Sequence, residues 1–119
     1  MRKIGDTRRK WLKRKASIRK KIQGTPERPR MTVYKSNAYT YVQAIDDSSG
    51  TTVAAASTLE KDHRGIANKT ASLDQLGALI AERLKAKKVT TVVFDRNGYR
   101  YHGKVKAVAE GARKAGISF

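Results

Sequence analysis

Thirteen of the chain's twenty-seven Lys and Arg residues fall within residues 1–30, against two acids, Asp6 and Glu27. Such a stretch cannot build a packed core, because clustered like charges repel and work against compaction. It reads as an arm, so the folded unit must come from residues 31–119, which hold fourteen cations and eight acids. A basic arm is stabilised beside a dense polyanion, where each Lys or Arg that meets a phosphate releases condensed counterions. The charge points to nucleic acid.

Length and composition permit one domain plus this appendage in 119 residues. Apolar residues make up 39%, and the nine glycines bring the total close to the roughly 45–50% of a globular chain. There is no cysteine, which excludes a disulfide framework and a thiolate metal site and fits a reducing cytoplasm. No apolar run approaches the roughly 18 residues that a membrane span needs. The basic start resembles a signal peptide's first segment, but no apolar stretch follows it. A soluble cytoplasmic protein is the expectation, with no membrane partner and no small-molecule substrate.

Along the chain, residues 6–22 are a candidate helix: Asp6 can cap it, and Trp11, Ile18 and Ile22 recur at helical spacing. Cations surround that stripe, so the helix is expected to be mobile when free and to order on phosphates. The alternative is a basic helix packed on the core through Trp11. Pro26 and Pro29, the only prolines, then separate arm from core. The division expected is a basic RNA-binding arm over 1–24, a Pro-containing linker over 25–30 and a globular core over 31–119.

Strands are predicted over 31–36, 39–46 and 51–57, joined by tight turns into an antiparallel meander. Asn37 in the first turn can adopt a left-handed conformation. A polar loop over 59–65 leads to a helix starting at Asn68 or Ser72, where Ser72 and Gln75 match a capping box. Its apolar stripe is Leu73, Leu76, Ile80 and Leu84, with Glu82, Arg83 and Lys85 facing solvent. Residues 90–95 read as a strand covered on both faces. A last helix opens at His102 or Gly103, buries Val105, Val108, Ala109 and Ala112, and stops at Gly116. The order is β-β-β-α-β-α.

Two clusters carry candidate chemistry. Residues 95–104 place Arg96, Arg100, Lys104, Asn97, Tyr99, Tyr101 and His102 between a strand and a helix N-terminus. Tyr34, Tyr39 and Tyr41 alternate with Lys35 and Asn37 around the first hairpin. Cations neutralise phosphates, and aromatic rings along a sheet form a platform for unpaired bases. Tyrosines in strands commonly pack in a core instead, but a core would not recruit these polar neighbours. Catalytic patterns are thin. His63 and His102 lack a nucleophile-elbow motif, and a metal-dependent nuclease would have to use Asp46, Asp47, Glu60 and Asp95. Asp46 and Asp47 sit at a turn, where Asp is common anyway, and Asp95 has Arg96 as a ready ion-pair partner. No metal ligand set is expected.

Several segments together resemble one family. They are Arg19-Lys20-Lys21-Ile22 with Gly24-Thr25, Glu27-Arg28-Pro29-Arg30, Ser36-Asn37 followed by Tyr41-Val42-Gln43-Ala44-Ile45-Asp46-Asp47, and Ala56-Ser57-Thr58-Leu59. Val93-Phe94-Asp95-Arg96, Tyr101-His102-Gly103 and Ala112-Arg113-Lys114-Ala115-Gly116-Ile117 continue the series. The pattern resembles bacterial large-subunit ribosomal protein L eighteen from about Arg14 to Phe119, and matches poorly over residues 1–13. Asn97 stands where that family often has Gly or Ser, and Arg100 where a neutral residue is usual. The resemblance implies a mixed four-stranded sheet with two packed helices and a flexible basic N-terminus. It also implies binding of 5S ribosomal RNA in the central protuberance, beside 23S ribosomal RNA and ribosomal protein L five.

The expectation is therefore a non-enzymatic α/β (α+β-like) protein of the large ribosomal subunit that needs no cofactor. Arg8, Arg9, Arg14, Arg19, Lys20, Arg30, Lys35, Arg96 and Lys104 are expected on phosphates. Asn37, Tyr39, Tyr41, Tyr99, Tyr101 and His102 are expected to stack or hydrogen-bond. A DNA-compacting architectural protein is the alternative that the charge alone would permit.

Overall fold

The computed structural model of the chain describes residues 4–60 and 66–119, with side chains from residue 7 onward. The elements run α1 (Ile4–Lys21), β1 (Arg30–Lys35), β2 (Thr40–Asp46), β3 (Thr51–Ser57), α2 (Asp74–Ala86), β4 (Val93–Asp95) and α3 (Gly103–Lys114). After the arm this is the expected β-β-β-α-β-α order. The sheet runs β3-β2-β1-β4, with β1–β2 and β2–β3 antiparallel and β4 parallel to β1. The sheet is mixed because the chain crosses over through α2 before laying β4 beside β1.

Side chains alternate across the sheet. Met31 and Val33, Val42 and Ala44, and Ala54 and Ala56 are buried on one face, which α2 and α3 cover. Both helices bury the stripes their periodicity predicts: Leu73, Leu76, Ile80 and Leu84 from the second helical segment, and Val105, Val108, Ala109 and Ala112 from α3. The small residues also serve contact between the two helices. A β-carbon on Gly77 would run into the Val108 and Ala112 backbone, and one on Gly111 into the Asp74 backbone.

Several local expectations fail for physical reasons. Asp6 lies inside α1, which begins at Ile4, so it is not the cap. Ser72 is not the cap of α2 either. Leu73 holds that position without a side-chain bond, and a turn in which its N–H donates to Lys69 O (3.1 Å) leads into the helix. Asn68 stays in the preceding loop, where it accepts from Thr40 Oγ1 at 2.6 Å and donates to Ser36 O and Asn37 O. Asn37 is not left-handed; the Ser36 hydroxyl closes its turn by accepting the Tyr39 N–H at 3.1 Å. Arg83 does not face solvent freely, because it pairs with Glu60 at 2.7 Å and donates to Ala55 O. The strand predicted over 90–95 is a short edge strand rather than one covered on both faces. Its apolar run has another cause: Val92 enters the core, while Phe94 packs on Phe119 and Tyr101. Of the polar loop, residues 61–65, including His63, lie outside the described residues.

Candidate nucleic-acid interface

The loop after β4 is built around a turn. Asp95 Oδ1 accepts the Asn97 N–H at 2.8 Å, and the Tyr99 N–H donates to Arg96 O at 3.0 Å. Asn97 at φ 56 and Gly98 at φ 78 are both left-handed, the geometry of a type I′ turn, for which Asn-Gly is the favoured pair. This turn seats the arm. Trp11 Nε1 donates to Asn97 O and Arg14 Nε to Gly98 O, each at 2.9 Å. The Trp11 ring lies 5.8 Å from Tyr99, with Lys15 Nζ 4.4 Å from its centroid and the Arg8 guanidinium 5.8 Å from it. Trp11, Lys15 and Ile18 are half-buried at helical spacing. The arm expected to be mobile when free is here a helix resting on the core, in the arrangement that Trp11 alone had suggested.

A second tie lies at the linker. Arg30 Nη1 donates to Asp95 Oδ2 at 2.8 Å, while its Nε and Nη2 donate to Asp47 at 3.1 and 3.2 Å. Asp47 Oδ2 also accepts the Gly24 N–H at 2.6 Å and stands 3.5 Å from Arg19 Nη1. Burial works against the Arg30 charge, but its bonds to Asp47 and Asp95 outweigh this and hold its pKa above the ordinary value. The same Arg30 bond, the largest cause, holds the Asp47 carboxyl below the usual range. Arg30 is therefore committed within the fold rather than turned outward. Arg96 is not the partner of Asp95 but donates to Tyr99 O at 2.7 Å.

Asp46, Asp47, Glu60 and Asp95 are each engaged within the fold. Asp47 and Asp95 belong to Arg30, Glu60 to Arg83, and Asp46 accepts the Ser48 and Ser49 hydroxyls. The Ser48 hydroxyl, first among several bonds, lowers the Asp46 pKa. Among the described residues no His, Cys, Asp and Glu side chains gather as a metal site.

Between α1, the first hairpin and the start of α3 opens a cleft of about 580 Å³. Its walls bring together Arg14, Lys35, Asn37, Tyr99, His102 and Lys104, all expected at the site, and add Arg100, Ser36 and Thr70. Among the described residues no carboxylate lines it. Tyr99 is a wall rather than a free ring: Lys35 Nζ lies 5.3 Å from its centroid, its hydroxyl donates to Lys35 O, and burial raises its phenol pKa. Arg19, Arg30 and Tyr41 line a separate cleft under α1. Tyr39 stacks on Tyr41 with centroids 6.1 Å apart. Tyr101 is set apart, edge-on to Phe94, its hydroxyl bonded to Glu110 and Arg113. Arg9 and Lys20 are exposed on α1, outside both clefts. Thr70 carried no signal in the sequence; Arg100 did, as a cation in the same loop.

The family model described as "Ribosomal L18 of archaea, bacteria, mitoch. and chloroplast" matches residues 6–119. The chain belongs to the ribosomal L18 family. The match reaches further into the arm than the motifs from Arg14 onward. "Large ribosomal subunit protein uL18" of Treponema pallidum (strain Nichols) is 53% identical over 119 residues, covering 100% of this chain and 99% of that protein. The protein of the same name from Treponema denticola is 56% identical over 117 residues, 98% of each chain. That of Myxococcus xanthus is 54% identical over 110 residues, covering 91% and 93%. An L18 chain is a structural component of the large ribosomal subunit that serves translation, not an enzyme. Its surroundings are ribosomal RNA and other ribosomal proteins, which suits a cleft lined with cations. Among the described residues no helix is long and apolar enough to cross a membrane.

Proposed function

We propose that this L18 protein binds 5S ribosomal RNA in the cytoplasm and helps attach it to 23S ribosomal RNA in the central protuberance, next to ribosomal protein L five. The observation that carries the reading is the cleft at the start of α3. There Arg14 from the arm meets Lys35, Arg100, His102 and Lys104 from the core, with no acid among the described residues to oppose them. Cations supplied from three separate segments suit a folded RNA backbone, whose phosphates converge from more than one strand.

In this reading residues 1–24 act as the RNA-binding arm, 25–30 as its linker and 31–119 as the core. Arg8, Arg9, Arg14, Arg19, Lys20, Lys35, Arg96 and Lys104 meet phosphates, while Arg30 holds the loop and linker that present them. Asn37, His102, Tyr39, Tyr41, Tyr99 and Tyr101 give the surface its shape and its contacts to bases. Phosphate contacts position the protein, and contacts to bases and folded shape select the RNA.

Competition at one salt concentration tests this. Labelled 5S RNA bound to the full chain should resist duplex DNA of equal length and yield only to unlabelled 5S RNA. Displacement by DNA at equal concentration would favour the architectural DNA binder.

A further inference from the structure

A second cleft, of about 450 Å³, lies between α1 and the sheet face that α2 and α3 leave open. Tyr34 and Tyr41 stand opposite each other in the β1–β2 register, with ring centroids 5.2 Å apart and planes at 31°. Thr32 and Gln43, the next opposed pair on that face, continue the floor. Lys15 and Arg19 of α1 stand over it. The one acid among the described residues in its walls, Asp95, is paired with Arg30. We infer that this cleft seats one unpaired RNA base, stacked on Tyr34 and Tyr41 and read at its edge by Gln43 and Thr32. The inference rests on the RNA-binding reading above and names a site that reading leaves undivided.

Three features converge on such a ligand. The rings are half-buried and packed together, with Tyr39 stacked behind Tyr41, so they lose little rotamer freedom when a base lies on them. The Gln43 amide and the Thr32, Tyr34 and Tyr41 hydroxyls make no hydrogen bond to another described residue, which leaves donors and acceptors for an entering base edge. Lys15 and Arg19 put positive charge where the phosphates flanking that base would pass. The volume fits a single small ligand and excludes a duplex, so the base must be unstacked from its neighbours.

The test uses the full chain and three probes at one salt concentration: a 5S RNA transcript, a short single-stranded oligoadenylate and a fully paired RNA duplex. Tyr34→Leu and Tyr41→Leu keep apolar packing and net charge while removing a ring. Gln43→Ala removes an edge contact that the fold does not use. Each tyrosine variant should lose about tenfold or more on the transcript and the oligonucleotide and less than about twofold on the duplex. Gln43→Ala should lose a smaller factor on the same two probes. Chemical probing of the 5S complex should show an unpaired nucleotide, protected by the wild type, becoming reactive while the rest of the footprint stays. A thermal melt checks each variant, and if the tyrosine variants are unfolded, Gln43→Ala decides. Equal losses on all three probes, or none, in folded variants would overturn the base seat. Selective loss of the oligonucleotide by the variants, with wild-type 5S binding no tighter than duplex binding, would keep the seat and reject the 5S assignment. A persistent 5S preference that the variants leave unchanged would do the reverse.

Discussion

Trp11→Ala should release the arm from the core without unfolding the core. The substitution removes the indole N–H bond to Asn97 O, worth about 0.5–1.5 kcal/mol net. It also removes the ring pair with Tyr99, about 0.5–1.5 kcal/mol, and the Lys15 contact over the ring face, about 0.5–1 kcal/mol. Together these amount to about 1.5–4 kcal/mol of docking free energy, so the ratio of seated to released arm should fall about 10- to 900-fold. The Arg14 bond to Gly98 O, the Arg19 contact with Asp47 and the half-buried Ile18 still favour the seated arm. Trp11 is not among the buried residues of the core, so the main thermal transition should barely move. Two-dimensional amide NMR gives the readout. The Asn97, Gly98 and Tyr99 signals should move to where they lie in a chain lacking residues 1–21, and trypsin should cut α1 at least about tenfold faster. Trp11→Phe, which keeps a ring and loses the N–H, should fall between. Unchanged loop signals and unchanged proteolysis would refute the seat, and loss of cooperative unfolding would show Trp11 to be part of the core.

Gly77→Ala and Gly111→Ala should each lower the melting temperature, although Ala normally stabilises a helix by about 1 kcal/mol over Gly. The added carbon meets backbone of the opposite helix, and such overpacking costs about 1–3 kcal/mol, so a higher melting temperature would refute the close crossing. Asp47 has a folded pKa below its unfolded value of about 3.9, so its contribution to stability is complete above that value and is lost as pH falls through the folded pKa. Urea titrations from about pH 5 down to about pH 2 should show wild type losing stability more steeply than Asp47→Asn; parallel curves would refute the Arg30 tie. Replacing Arg8 and Arg9 by Gln should weaken 5S RNA and unrelated duplex RNA alike and flatten the salt dependence by roughly one log–log unit for each phosphate no longer neutralised, whereas weakening confined to 5S RNA would give these residues a selective role.

The core was legible in the sequence because its signals are local. The stripes of α2 and α3 and the alternation in β1 and β2 repeat within a few residues, and burial follows them. The cationic cleft was legible in part, since Asn97 through Lys104 are contiguous and the hairpin supplies Lys35 and Asn37. What could not be read depends on partners far along the chain. Arg30 resembles any other cation of the arm until the fold brings Asp47 and Asp95, 17 and 65 positions away, to its guanidinium. Trp11 meets Asn97 across 86 positions, so sequence alone left open whether the arm packs on the core. The apolar run before Asp95 suggested a strand covered on both faces because apolarity does not tell core contact from the aromatic packing of Phe94 at a sheet edge.

The direct measurement is to isolate the protein from cells under conditions that dissociate the large subunit and to identify the RNA that stays bound. Recovery of 5S RNA in a one-to-one complex, abolished when Arg14, Lys35, Arg100 and Lys104 are replaced by Gln, is the predicted result. Recovery of 23S fragments without 5S RNA, or a 5S complex unaffected by those four changes, would contradict it.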